Sequence, residues 1–143
     1  MTARLLPALL LVSPLAILVA CAPSDPEITA ARSAAAIAAA PEAKVTGPGQ
    51  NCISQARVRQ SVVRSDQVID FEMRGGTVYR SILPNRCIGL TLDRAITYEN
   101  SIDQLCTQQI VYSLRNFGGF LQRGAGCALG EFVPVEYVKK AKE

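Results

Sequence analysis

Four cysteines are the residues whose type and spacing most clearly allow chemistry in this chain. They stand far apart, at Cys52, Cys87, Cys106 and Cys127. Structural zinc sites use close pairs such as C-x2-C, and redox sites use C-x-x-C, so the spacing fits neither. A cysteine nucleophile needs a nearby base, and the chain contains no His to supply one. The even number therefore favours two disulfides in an oxidising compartment.

Three pairings of these cysteines are possible. We expect Cys87 to pair with Cys106 and Cys52 to pair with Cys127, which closes loops of roughly 20 and 76 residues. Chain-entropy estimates assign such loops about 3 and 4.5 kcal/mol of stabilisation. Cross-links of this strength suit a domain of roughly 90 residues, because so short a chain buries only a modest core.

Carboxylates are the other side chains with catalytic potential. Asp70 and Glu72 are two residues apart, so they share one face of a strand, and two neighbouring carboxylates can do acid/base chemistry. The flanking arginines favour instead a solvated face with cross-strand ion pairs such as Arg59 with Glu72, in which both acids stay ionised. We therefore expect no catalytic residue, cofactor or metal site. The alternative is a carboxylate-dependent envelope enzyme, or an inhibitor of one, that uses Asp70, Glu72, Asp93 or Glu99.

The amino terminus has the pattern of a secretory signal peptide. Residues 1–4 carry one positive charge, and residues 5–19 form a largely apolar run that is short for a membrane span. The run ends at Leu18-Val19-Ala20-Cys21, which resembles the lipobox of bacterial lipoproteins. The resemblance implies that the Cys21 thiol is lipidated and that the chain is cleaved before it. Ala22, where inner-membrane lipoproteins have Asp, implies sorting to the outer membrane.

The composition changes twice after this leader of residues 1–20. Residues 21–50 hold four prolines and an Ala-rich stretch, so we expect a flexible tether that keeps the domain away from the lipid. From residue 51 the β-branched and aromatic residues typical of strands recur, which predicts a small globular domain over residues 51–138. Residues 139–143 form a basic tail.

The domain is predicted to be mostly β, with an α+β fold as the alternative. Residues 57–64, 67–74 and 77–83 are predicted strands, joined by turns at Ser65-Asp66 and Gly75-Gly76. Further strands are expected over residues 95–98, 108–114 and 127–133, with a Gly-rich loop over residues 116–126. A small antiparallel sheet or a curled barrel, stapled by disulfides, would hold these strands.

Two-residue loops at both turns would determine which side chains face the core. They place Ile69 opposite Ile82, and Val62 opposite Ile69. Arg80 then falls on the core face, opposite Phe71, where only its aliphatic stem could be covered. The apolar members of this predicted face are Val58, Val62, Ile69, Phe71, Met73, Val78 and Ile82. The opposite, solvated face carries Arg57, Arg59, Ser61, Asp70, Glu72, Arg74 and Tyr79.

Several short motifs in the domain are similar to those of a known family. They are Phe71-Glu72-Met73-Arg74-Gly75-Gly76, Leu83-Pro84-Asn85-Arg86-Cys87, Leu105-Cys106 and Gly124-Ala125-Gly126-Cys127-Ala128-Leu129-Gly130. On these motifs, residues 51–134 resemble a family of small proteobacterial envelope lipoproteins known only as a domain of unknown function with paired cysteines. The resemblance implies that the Cys and Gly positions form the framework of the domain. It implies no activity, substrate or cofactor.

The charge of the chain disfavours a nucleic-acid partner. The formal net charge is +3, or +2 without Arg4 of the leader, and the basic residues are dispersed. We expect a non-enzymatic binding or structural module of the cell envelope, held on the outer membrane by acylated Cys21 and facing the periplasm. Its expected partners are membrane lipid, through Cys21, and an envelope protein or polymer.

Overall fold

The computed structural model describes residues 25–100 and 102–138. The leader, the lipidation site Cys21 and the predicted basic tail lie outside these described residues. The helices are α1 (Pro26–Ala38) and α2 (Leu90–Asp93), with a 3-10 turn at Gln55–Arg57. The strands are β1 (Ala43–Val45), β2 (Cys52–Ser54), β3 (Val58–Val63), β4 (Val68–Met73), β5 (Val78–Ile82), β6 (Ala95–Thr97), β7 (Gln104–Cys106), β8 (Ile110–Phe117), β9 (Phe120–Ala128) and β10 (Phe132–Tyr137). Neither described helix has the length and apolar character needed to cross a membrane.

The strands form three open antiparallel sheets around one core. The largest sheet has the order β1-β10-β5-β4-β3, and the smaller ones are β6-β8-β9 and β2-β7. The predicted mostly-β, antiparallel and disulfide-stapled fold is confirmed, as open sheets rather than a curled barrel. The core joins side chains from all three sheets and from α2: Ile53, Val63, Ile69, Phe71, Met73, Leu83, Leu90, Leu105, Val111, Leu129 and Phe132, with Cys87 and Cys127.

Both hairpins of the large sheet have three-residue loops, so the predicted two-residue loops are wrong. In the second hairpin the amide of Met73 donates to the carbonyl of Thr77, and Gly76 takes a positive φ of 86°. A turn followed by a left-handed glycine is the usual form of a three-residue hairpin loop. In the first hairpin the amide of Arg64 donates to the carbonyl of Val68, which leaves three residues in that loop as well.

This one-residue shift in register exchanges the two faces of β5 relative to β4. Arg80 lies opposite Asp70, and Tyr79 lies opposite Phe71. The predicted contact of Arg80 with Phe71 on the core face is therefore wrong, because each single-residue shift moves a side chain to the other face of the sheet. The corrected register puts Tyr79 against the core and gives Arg80 a carboxylate partner.

The segment predicted as a flexible tether contains regular structure. Asp25 caps α1 by accepting a hydrogen bond from the amide of Glu27, and Pro26 occupies the first turn. Alanine has the highest helix propensity, and proline is tolerated at a helix start. Strand β1 then pairs with β10 at the edge of the large sheet, with Val45 opposite Val135. The folded unit therefore begins well before residue 51.

The Gly-rich stretch predicted as a loop over residues 116–126 is a hairpin between β8 and β9. Gly118 and Gly119 form its turn with φ of 58° and 94°, values that favour glycine and suit a two-residue hairpin loop. Strand β9 ends at Ala128 and β10 begins at Phe132, so the single strand predicted over residues 127–133 is wrong.

The two disulfides are present, but the expected pairing is wrong. Cys52 bonds to Cys106, and these residues are register partners on β2 and β7. Cys87, in the loop after β5, bonds to Cys127 on β9. The bonds join cysteines that are 54 and 40 positions apart, and strand pairing rather than loop length brings them together.

Candidate functional site

Asp70 is the most strongly bound carboxylate among the described residues. It lies at the centre of β4, between β3 and β5, and its side chain is fully buried. Arg80 donates from Nε to Oδ1 at 2.8 Å and from Nη2 to Oδ2 at 3.1 Å. Arg64 Nε and the Tyr137 hydroxyl donate to Oδ2 at 2.8 and 2.9 Å. Four donors on one carboxylate leave little capacity for a substrate proton.

The partners of Asp70 are themselves held in place by further contacts. Arg80 also donates from Nη1 to the carbonyl of Pro41, at 3.0 Å, in the segment between α1 and β1. Arg64 donates from Nη2 to the Tyr137 hydroxyl at 2.6 Å, and its guanidinium lies 5.1 Å from the Tyr137 ring centroid. The network joins β4, β5, β10 and the loop after β3 to the amino-terminal segment. The predicted solvated face is therefore wrong for Asp70, because these partners cover it.

The pKa of Asp70 follows from these contacts. Burial alone would raise it, but hydrogen bonds from Arg80 and Arg64 outweigh burial and lower the pKa below its ordinary value of 3.8. Burial also raises the pKa of Tyr137, so its hydroxyl stays protonated and donates. Asp70 is thus a permanent anion near neutral pH, which agrees with the expectation that the flanking arginines keep it ionised.

This lowered pKa makes folding stability dependent on acid. A carboxylate whose pKa is lower in the folded chain stabilises the fold above the unfolded pKa, and the stabilisation is lost as pH falls through the folded value. We expect the urea midpoint of the native chain to fall steeply below about pH 4. The Asp70→Asn variant should show a shallower fall over the same range. Parallel curves would contradict a lowered Asp70 pKa, since the other carboxylates are common to both proteins.

The remaining carboxylates do not form a catalytic pair. Glu72 shares the Asp70 face of β4, as predicted, and forms the expected ion pair with Arg59. Asp93 accepts a hydrogen bond from the amide of Asn116 at 3.2 Å. Glu99 forms an exposed ion pair with Arg123, which lowers its pKa. Arg64 lies between Asp70 and Glu72, 2.8 Å from the first carboxylate and 4.0 Å from the second, while Asp93 and Glu99 have other partners. No three metal-binding side chains cluster within the described ranges.

Strand β9 is the most accessible strand of the structure. It is nine residues long and pairs with β8 on one side only. No other described strand covers its outer edge, and residues 120–126 are exposed. The edge includes Gly124, where an added Cβ would overlap the Ser113 hydroxyl, so this part of β9 stays free of large side chains. An exposed edge offers unpaired backbone donors and acceptors to another extended chain.

The tip of the β8–β9 hairpin carries exposed apolar side chains. Phe117, Phe120 and Leu121 are 48%, 76% and 68% exposed. Phe117 and Phe120 are register partners beside the turn. Together with the outer edge of β9 they form one surface, which we call the hairpin surface.

Arg115 gives the hairpin surface an unneutralised cation. Its guanidinium lies 4.6 Å from the Phe117 ring centroid, and its Nε atom is buried with no hydrogen-bond partner among the described residues. No described carboxylate forms an ion pair with Arg115, so its positive charge is open to a partner. Residues 110–128 contain two charged residues, Arg115 and Arg123, and no Asp or Glu.

Sequence reasoning identified the cysteines and the shared face of Asp70 and Glu72, but missed two features. It did not connect Tyr137 to Asp70, because 67 positions separate them and no local pattern joins them. It also missed the exposed edge of β9, although the Gly118-Gly119 dipeptide is the same hairpin signal that was recognised at residues 75–76.

No protein-family model, curated protein or solved structure matches this chain.

Proposed function

We propose that the chain is a lipid-anchored envelope module that binds an extended segment of a partner protein along the hairpin surface. Acylated Cys21 holds it on the outer membrane, where the domain faces the periplasm. The leader pattern and lipobox support this anchor. Two disulfides in so small a domain support an oxidising compartment. The resemblance to the envelope lipoprotein family is consistent with the same location.

The observation that carries the binding role is the unpaired outer edge of β9 beside an apolar tip. Main-chain hydrogen bonds to an edge strand supply affinity, and alternate side chains of the added strand supply specificity. Phe120 and Leu121 offer apolar contact, and Arg115 offers charge. The partner segment is therefore extended, with apolar residues and at least one carboxylate.

An enzymatic role finds no comparable support. A general acid or base needs a pKa near the working pH, whereas the pKa of Asp70 is shifted downward by its arginine partners. Asp93 and Glu99 contact different residues and do not meet in one pocket with Asp70.

A library of random peptides tests the binding role with a defined probe. We expect selection against the immobilised chain to enrich peptides that alternate apolar residues and contain Asp or Glu. The double variant Phe120→Ser/Leu121→Ser should weaken their binding about tenfold or more. Arg115→Gln should weaken chiefly the peptides that contain an acid. Fluorescence polarisation with a selected peptide measures both effects.

A matched control separates this result from loss of fold. Ile102 is 63% exposed and lies outside the hairpin surface, so Ile102→Ser should bind the selected peptides as the native chain does. All of the apolar-to-serine changes should alter the free energy of unfolding by less than about 0.5 kcal/mol. Selection of no common pattern, or equal binding by the Phe120→Ser/Leu121→Ser variant, would leave a structural role as the better account.

A further inference from the structure

A basic groove lies between helix α1 and the loop that carries α2. It consists of two adjoining depressions of about 550 and 400 Å³, which share Arg32 and Arg86 in their walls. The charged residues that line it are Arg32, Arg64, Arg86, Arg94 and Asp66. Asp70 and Asp66 pair with Arg64 and Arg86, so the net positive charge of the groove comes from Arg32 and Arg94.

Two of these arginines are held in position by carboxylates. Arg86 donates from Nε to Oδ2 of Asp66 at 2.7 Å. Arg64 donates from Nε to Oδ2 of Asp70 at 2.8 Å, at the edge of the buried network. These contacts orient the guanidinium groups and cancel part of their charge. Arg64 and Arg86 therefore line the groove but are already occupied by carboxylates, so they are less able to bind an added anion.

The other two arginines of the groove are available to bind an anion. Arg32 on α1 and Arg94 after α2 are both exposed, and neither forms an ion pair with any described residue. Both line the same depression, Arg32 from α1 and Arg94 from the residue that follows α2. The planar guanidinium fork donates two parallel hydrogen bonds to the oxygens of a phosphate group. One depression is thus lined by two exposed guanidinium groups that have no ion-pair partner among the described residues.

The position of α1 places this groove close to the predicted anchor. Only residues 22–24 separate Cys21 from Asp25, so the chain can extend at most about 14 Å between the lipid and the start of α1. Arg32 lies two turns into the helix, about 10 Å further along its axis. The nearby wall carries Ile88, which is 85% exposed. An exposed apolar residue beside clustered cations is typical of a surface that meets lipid headgroups.

We propose that this groove binds a phosphate-bearing group and that the anionic headgroups of the anchoring membrane are its source. The choice of source rests on the proposed anchor at Cys21, whereas the phosphate site itself does not. A headgroup held by Arg32 and Arg94 would fix α1 flat against the membrane and give the domain one orientation. The hairpin surface would then be presented at a constant angle to the periplasm.

Vesicle co-sedimentation of the chain from residue 22 onward, secreted so that its disulfides form, tests the site without the anchor. That chain retains every described element. We expect it to bind vesicles of phosphatidylcholine with phosphatidylglycerol, and not vesicles of phosphatidylcholine alone. Arg32→Gln/Arg94→Gln should weaken binding about 25-fold, at about fivefold for each arginine. Arg57→Gln/Arg74→Gln, which removes the same charge from two exposed arginines elsewhere, should weaken it less than about threefold.

Inorganic phosphate and an Ile88→Ser variant distinguish membrane headgroups from free phosphate as the ligand of the groove. If headgroups are the source, Ile88→Ser weakens vesicle binding, and inorganic phosphate titrated by calorimetry binds far more weakly than the vesicles do. If inorganic phosphate binds tightly and Arg32→Gln/Arg94→Gln abolishes this binding, the phosphate site stands and the membrane source is overturned.

Two other results would overturn the groove itself. One is absence of binding to both vesicles and phosphate. The other is an equal loss in the Arg57→Gln/Arg74→Gln control, which would show that only net charge matters. Because the tested chain lacks Cys21, neither result depends on whether the native chain is acylated. Failure of the anchor and failure of the groove are therefore separate outcomes.

Discussion

Asp70→Ala is expected to lower the free energy of unfolding by about 3–5 kcal/mol at pH 7. The change removes the fully buried carboxylate that accepts hydrogen bonds from Arg64, Arg80 and Tyr137. Both guanidinium groups would remain largely buried, with side chains 22% and 13% exposed, and would lose their main counter-ion. Uncompensated buried charge is costlier than the ion pair is favourable, which explains the size of the effect. Urea denaturation followed by circular dichroism measures it.

Glu99→Gln provides the matched control for this substitution. It also removes a carboxylate from an ion pair with arginine, but the Glu99 side chain is 71% exposed. Exposed pairs contribute little because water and salt screen them, so we expect a much smaller change than for Asp70→Ala. If Asp70→Ala costs no more than Glu99→Gln, the buried network does not hold the large sheet together.

Removing the Cys87–Cys127 disulfide is expected to cost about 4 kcal/mol. The bond closes a loop between positions 40 apart, and chain entropy assigns this cost to the greater freedom of the unfolded chain. Both cysteines also belong to the core, so the Cys87→Ala/Cys127→Ala variant loses packing as well. The stability of the double variant, compared with the oxidised native chain in urea, measures the loss. Simultaneous reduction of Cys52–Cys106 should unfold the domain at 37 °C, because small domains have little stability in reserve.

Peptide mapping without reduction checks the pairing on which this prediction depends. Cleaved fragments should be linked as Cys52 with Cys106 and as Cys87 with Cys127. A fragment that links Cys87 with Cys106 would show that the strand pairing of β2 with β7 is incorrect. A variant that loses less than about 1 kcal/mol would show that the bond adds nothing beyond the packing of its neighbours.

Local pattern was sufficient to locate the strands of the first two hairpins. Residues 57–64, 67–74 and 77–83 were predicted, and β3, β4 and β5 occupy them within one or two residues at each end. β-branched residues, alternation and turn dipeptides act over a few neighbours, so they survive without knowledge of the fold. The class of fold followed from the same signals.

The predicted register of the strands was wrong because register depends on the geometry of the turn, which the turn dipeptide alone does not determine. Gly75-Gly76 lies in a three-residue loop, whereas Gly118-Gly119 forms a two-residue loop. The same two letters thus serve two turn types. An error of one residue in the register was enough to place Arg80 opposite Phe71 rather than opposite Asp70. The buried network around Asp70 was therefore not predicted.

The pairing of strands that are distant in the sequence could not be predicted either, because local patterns carry no information about it. Strand β10 inserts beside β5 and brings Tyr137 to Asp70, and β1 closes the far edge of the sheet. The amino-terminal segment was predicted as a tether because its small side chains cannot form a core alone. It is ordered by backbone pairing with β10 and by the Arg80 contact to Pro41, neither of which leaves a compositional trace.

The intact mass of the protein extracted from membranes, before and after reduction and alkylation, tests the central claim of a lipid-anchored, disulfide-stapled module. We predict a mass that begins at Cys21 with acyl chains attached. Alkylation should label no cysteine before reduction and four after it, in accord with the two disulfides. A mass that retains residues 1–20 without lipid, or thiols that label freely before reduction, would contradict the account.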